Sequence, residues 1–263
     1  MSVDIDKTLD KKIVFPSVLK YLLMIGVLLG LITFFYLLNS GHEDIAWSAF
    51  HLNFVFWAGV SHGGVLFACA MRITKSSWGR SIMRISESFA SFIPFVLIFL
   101  FILFLGREYT MPYTVLGYKQ KWLNTSFVLF RSVFFIGILH ILIYYYIYYS
   151  LRQDSIGTNR FRGFFSFLSS DSEANKDPSN YDSNLVRLSV AIAIMYALSM
   201  SFLSWDFIMS LHPHFYSTLF GVYYFMASLL AALGLLIILS SILTNYFKLG
   251  DVITEYQFYD SAK

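Results

Sequence analysis

A bundle of about six transmembrane α-helices is the fold this sequence predicts, and three observations predict it. Hydrophobic residues make up 57% of the 263 residues and charged ones only 13%, a balance far from that of a water-soluble domain. Six apolar stretches reach the roughly 20 residues needed to cross about 30 Å of hydrocarbon at about 1.5 Å per residue. Lys and Arg gather in alternate connections, as expected where basic segments stay on the cytoplasmic side. Spanning strands are excluded, because open sheet edges leave backbone groups unbonded in lipid and these runs are too long and too uniformly apolar for barrel strands.

Each element follows in order. Segment 1–16, MSVDIDKTLDKKIVFP, mixes acids with lysines and shows no small-residue cleavage signal, so it reads as a cytoplasmic N-terminal segment before a retained helix. The first four transmembrane helices occupy 17–151, at about Ser17 to Leu38, Trp47 to Met71, Ser88 to Leu105 and Ser126 to Tyr149. Residues 152–184 form a polar cytoplasmic loop whose SSDSEANKDPSNYDS portion is rich in Ser, Asp and Asn. Helices five and six fill 185–247, at Leu185 to Leu211 and His214 to Tyr246, joined by a short outward hairpin. Segment 248–263 is polar, and reads either as a short cytoplasmic tail or as the point where a longer chain is cut.

The basic residues orient these helices. Lys7, Lys11, Lys12 and Lys20, then Arg72, Lys75, Arg80 and Arg84, then Arg152, Arg160, Arg162 and Lys176 mark the cytoplasmic connections. The connections around Gly41 and around His212 and Pro213 carry no Lys or Arg and face outward, together with the one holding Arg107, Lys119 and Lys121. The N-terminus is therefore expected in the cytoplasm.

Composition also narrows the chemistry. A single cysteine, Cys69, allows no internal disulfide, Cys-ligated iron–sulfur cluster or thiolate zinc site. No basic block exists to grip phosphates, so nucleic acid is not an expected partner. Haem would need histidines on two helices. His51, His62, His140 and His212 offer pairs, but no spacing within one helix singles them out, and no metal ligand is assigned.

Ionisable groups at bilayer depth are costly unless they meet a partner, a cavity or water, which makes them the functional candidates. His51 and His62 lie eleven residues apart on the second helix, three turns within about 20°, and share one stripe. They line a quinone or proton site, or else they bond neighbouring helices for packing. Arg84 and Glu87 are three apart and face each other as an ion pair or a proton entry. Pro94 falls within the third span and invites a kink. On the fourth helix Arg131 and His140 are nine apart and point to opposite faces. The following tyrosines, from Tyr144 to Tyr149, read as an interfacial belt without chemistry. The hairpin SWDFIMSLHPHFYSTLFGVYYF brings together Asp206, His212 and His214, with Ser199 and Tyr196 continuing a polar stripe inward. Proton release suits that arrangement, and so does a plain hairpin broken at Pro213 and capped by Ser217 or Thr218.

A family resemblance rests on these same residues. The segments WSAFHLNFVFWAGVSHGG, WGRSIMRISESF and FLGREY resemble the NrfD/polysulfide-reductase membrane-subunit family, and the Asp206 hairpin is similar to that of the ActF-type subunits of Alternative Complex III. The resemblance extends over most of the chain from Trp47 to Lys263, with the hairpin as its most specific part, while the first helix and the polar loop contribute little. It implies a subunit of a quinol:electron-acceptor oxidoreductase in the bacterial cytoplasmic (inner) membrane, without a redox centre of its own and forming part of a larger two-bundle fold. It further implies menaquinol or another quinone as substrate of the complex, a sister NrfD-like quinol-binding subunit, an extrinsic iron–sulfur/molybdopterin-like subunit, and multihaem and monohaem cytochrome c subunits. Relatives that bind quinol carry a His where Phe104 precedes Leu105, Gly106 and Arg107 here, which turns the expectation from quinol binding toward proton conduction. The expected route uses Glu87, His140, Asp206, His212 and His214, lined by His51, His62, Arg107, Arg131, Tyr196 and Ser199. Direct menaquinol oxidation and a purely structural anchor are the alternatives.

Overall fold

The computed structural model describes residues 17–76, 80–111, 121–155, 178–212 and 214–247. The expected N-terminal segment 1–16, Lys119, most of the polar loop, Pro213 and segment 248–263 lie outside the described residues. Every regular element among the described residues is helical. Six spans are long and apolar enough to cross a membrane: 17–39, 43–73, 82–105, 125–152, 182–211 and 220–246. The protein is an all-α, multi-pass membrane protein.

The chain divides into two compact units, Met1–Ala49 and Phe50–Lys263. In the first, helix α1 (Ser17–Asn39) is apolar on every side beyond Lys20 in its first turn, as a lipid-spanning helix is. It ends where the Asn39 amide donates to the Phe35 carbonyl at 2.8 Å and Gly41 takes a φ of 77°, a left-handed turn that a side chain would strain. Helix α2 (Glu43–Ile73) then opens with Glu43 and Asp44 in its first turn, where the helix dipole favours negative charge. Trp47 stands edge-on to Phe34 at 5.5 Å.

The second unit holds the rest of α2, then α3 (Arg80–Glu87), a 3-10 turn (Ser88–Phe92), α4 (Ile93–Leu105), the short α5 (Arg107–Thr110), α6 (Thr125–Ser155), α7 (Pro178–Phe207), a 3-10 turn (Met209–Leu211) and α8 (Phe220–Phe247). Helix α7 packs along both α6 and α8. Helix α2 approaches α8 closely because Gly63 has no side chain: a Cβ there would lie 2.9 Å from the Ser228 carbonyl oxygen. Tyr224 of α8 fastens the same contact by donating to the Val55 carbonyl at 2.7 Å. The interior is filled by Phe54, Leu100, Leu103, Ile136, Leu139, Ile192, Met200 and Phe207, among others.

Two local expectations are corrected. Pro94 does not kink a continuous helix. It lies in the first turn of α4, where its missing N–H costs nothing, and the break precedes it as the 3-10 turn. The Ile93 N–H takes the Ala90 carbonyl that residue 94 of an ordinary helix would have bonded. The sixth helix starts at Phe220 and not at His214. The chain first makes two turns, Phe215 N–H to the His212 carbonyl at 3.1 Å and Phe220 N–H to the Ser217 carbonyl at 3.4 Å, before helical bonding begins with Tyr223 on Leu219. Ser and Thr favour such turns over helix interiors.

Candidate functional site

Helix α6 organises the buried polar groups. Arg131, His140, Tyr146 and Ser150 follow one another along it, and from Arg131 to Ser150 the rise is about 28 Å, nearly the thickness of a bilayer core. Each of the first two engages a different neighbour, and the last two share a third cluster.

The first cluster is the pair of Arg131 on α6 and Asp206 near the end of α7. Both are buried, at 4% and 1% exposure. The guanidinium grips the carboxylate side-on, with Nε donating to Oδ2 at 2.8 Å and Nη2 donating to Oδ1. Aromatic rings enclose the cation, with its central carbon 4.2 Å from the Trp122 ring and 4.8 Å from that of Phe127. The Ser210 hydroxyl donates to the Asp206 carbonyl.

The second cluster lies about 14 Å further along α6. His140 meets His62 of α2, Nε2 to Nε2 at 3.0 Å, with the two rings stacked 18° from parallel. His62 Nδ1 also bonds the Ala58 carbonyl, one turn back on its own helix, at 2.6 Å.

The third cluster is built on Glu87, at the junction of α3 and the 3-10 turn. Its Oε1 accepts from the Tyr146 hydroxyl at 3.1 Å and from the Ser150 hydroxyl at 2.7 Å, and its Oε2 from Arg84. Arg72, in the last turn of α2, donates through Nε to Tyr146 at 3.1 Å and through Nη2 to Ser150 at 2.9 Å, with Glu87 at 3.8 Å and Asp182 of α7 at 4.0 Å. Arg84 donates to the Ser150 hydroxyl at 2.8 Å and to its carbonyl at 3.1 Å. Each hydroxyl thus accepts from arginine and donates to the carboxylate, which leaves the buried charge fully bonded.

The expected site residues divide accordingly. Glu87, His140, Asp206, His62 and Arg131 are all in buried or half-buried clusters. His212 and His214 are exposed, with ring centres 6.2 Å apart, while Asp206 turns inward to Arg131, so the hairpin does not join the three into one bonded group. Tyr196 and Ser199 are buried but donate to the backbone carbonyls of Phe225, at 2.9 Å, and Phe135, at 3.1 Å. They tie α7 to its neighbours. Arg107 is exposed beyond α4. His51 is buried edge-on against Phe207 at 5.9 Å, and its Nε2 has no hydrogen-bond partner among the described residues. Phe104 stands against the same Phe207 ring at 6.2 Å.

Sequence reasoning missed Tyr146, Ser150 and Arg72. The tyrosine run was expected to be a belt without chemistry, yet Tyr146 is fully buried while Tyr144 and Tyr145 are exposed. Helical spacing held the signal, since Tyr146 falls on the face of α6 that also holds Leu139, Ile143 and Ser150. Among the described residues no group of three or more His, Cys, Asp or Glu side chains could hold a metal ion. No protein-family model and no curated protein matches the sequence.

Proposed function

We propose that this chain is a proton-conducting integral subunit of a respiratory quinol:electron-acceptor oxidoreductase of the Alternative Complex III kind. One observation carries the reading: ionisable side chains are buried at three levels along α6, with Asp206 near one end, His140 between, and Glu87 near the other. Buried charge and paired imidazoles at bilayer depth are expensive, and a chain serving only to anchor others has no need of them at three depths. In this reading the Glu87 end faces the cytoplasm and the Asp206 end the outside of a bacterial inner membrane, an orientation that the Lys and Arg distribution supports. Water would have to bridge the intervals of roughly 9–14 Å between clusters.

In this reading electrons pass from menaquinol through the iron–sulfur and haem c centres of partner subunits. This chain passes protons alongside a sister NrfD-like subunit and binds no redox centre itself. A second reading has one observation in its favour: the unbonded Nε2 of buried His51 suits a quinol hydroxyl, which would make the chain a quinol-binding subunit.

Proton release per electron, measured in vesicles carrying the assembled complex, tests the proposal. Asp206→Asn and Glu87→Gln are expected to lower proton movement while quinol oxidation persists. Equal proton yield in both variants sinks the conduit and leaves the structural anchor. Loss of oxidation in His51→Leu, with proton yield per remaining electron unchanged, favours the quinol-binding reading.

A further inference from the structure

The hydrogen bonds of the histidine pair fix where its protons sit. A carbonyl oxygen only accepts, so His62 Nδ1 must carry the proton it shares with Ala58 at 2.6 Å. A neutral imidazole with its proton on Nδ1 has a lone pair on Nε2. At 3.0 Å the facing Nε2 of His140 must therefore be the donor. His140 Nδ1 is left as the one nitrogen of the four with an unused lone pair. The Ser61 hydroxyl donates to the same Ala58 carbonyl at 3.2 Å and stands 3.4 Å from His62 Nδ1, so the carbonyl at 2.6 Å is the nearer acceptor of the His62 proton.

We infer that His62 and His140 form a store for a single proton, loaded and emptied through Nδ1 of His140, with no exit through His62. The inference deepens the proton-conducting reading and rests on it for the pair's role in turnover. When a proton binds His140 Nδ1, the ring becomes an imidazolium whose Nε2–H points at the His62 lone pair, a charge-assisted bond stronger than the neutral one. The bridging proton can cross to His62 Nε2, which moves the charge and leaves the count at one. A second proton has nowhere to go, because two Nε2–H groups and two positive rings would face each other at 3.0 Å. Onward transfer from His62 is blocked, because its other N–H ends on an amide carbonyl, too weak a base to take the proton.

The surrounding ionisable groups, His51 and Cys69 apart, are engaged elsewhere. On α6, Arg131 holds Asp206, and Tyr146 holds Glu87 and Arg72. On α3, Arg84 holds Glu87. On α7 and α8, Tyr196 and Tyr224 donate to the carbonyls of Phe225 and Val55. On α2 itself are His51, which lies against Phe207, and the buried thiol of Cys69.

The test is nitrogen-15 NMR of the histidine rings in the full chain, held in lipid nanodiscs and titrated with acid, with assignments from single His→Gln variants. The expected pattern is a His62 Nδ1 that keeps its proton throughout, a His140 Nδ1 that gains one, and the two Nε2 signals moving together. Loss of the His62 Nδ1 proton, two imidazolium rings at once, or a His140 Nδ1 that never titrates in the folded protein would each overturn the store. His62→Gln keeps an acceptor amide and should leave His140 able to take its proton, whereas His140→Gln should abolish the uptake. Uptake surviving in His140→Gln also overturns it. If the NMR pattern holds but proton yield per electron in vesicles is the same in both variants, the store stands and the conduit reading fails.

Discussion

The two ends of α6 handle a buried carboxylate in opposite ways. Asp206 pairs with Arg131, whose guanidinium lies among Trp122, Phe127 and Phe202. Glu87 has Arg84, Arg72, Tyr146 and Ser150, and Arg84 is a third exposed. The difference teaches how each end responds to the loss of a charge. Loss of one member of a buried pair leaves the other charge among aromatic rings, whereas a network with one foot in solvent can redistribute its bonds.

The largest effect is therefore expected at the sealed end. Asp206→Ala strands the Arg131 guanidinium in an aromatic enclosure, and breaking a buried pair in this way costs about 3–5 kcal/mol. Denaturant unfolding in detergent micelles would read the loss. Replacing both partners, as in Arg131→Met with Asp206→Leu, should restore most of it, because an apolar pair needs no counter-charge. A double variant as unstable as the single one would show that shape and not charge holds α6 to α7.

Glu87→Gln should cost less, about 1.5–3 kcal/mol, the range for bonds to a charged group. The new amide keeps an oxygen for Tyr146 or Ser150, Arg84 can turn to water, and Asp182 remains beside Arg72. The same unfolding measurement applies. A loss equal to that of Asp206→Ala would erase the distinction between the two ends.

These clusters were legible in the sequence only where both partners lie on one element. Arg84 and Glu87 are three residues apart, so helix geometry alone predicts their contact, and the structure joins them. Arg131 and Asp206 were both singled out for their cost in lipid, but they lie on different helices and no periodicity relates them. The opposite faces of Arg131 and His140 were correctly read from their spacing, and the consequence was not: α6 lies between α2 and α7 and serves one with each face. The six spans were legible because length and apolarity are local properties. The hairpin was misjudged for the converse reason, since Asp206 and His214 are neighbours in sequence while burial separates them.

The smallest effect tests the most local part of the comparison, the tyrosine run. Tyr146→Phe removes one hydroxyl and keeps the ring under the Arg72 guanidinium, whose central carbon is 5.7 Å from its centre. Glu87 Oε1 keeps Ser150, and Arg72 keeps its bond to Ser150, so the network loses one accepting and one donating contact without an orphaned charge. A loss of about 1 kcal/mol follows from the usual worth of a hydrogen bond with its partners otherwise satisfied. Tyr144→Phe, on the exposed face of the same helix, should stay within about 0.5 kcal/mol of the parent. Measured side by side, the two variants separate a tyrosine that holds a charged network from one that faces lipid. Equal effects would return Tyr146 to the aromatic belt.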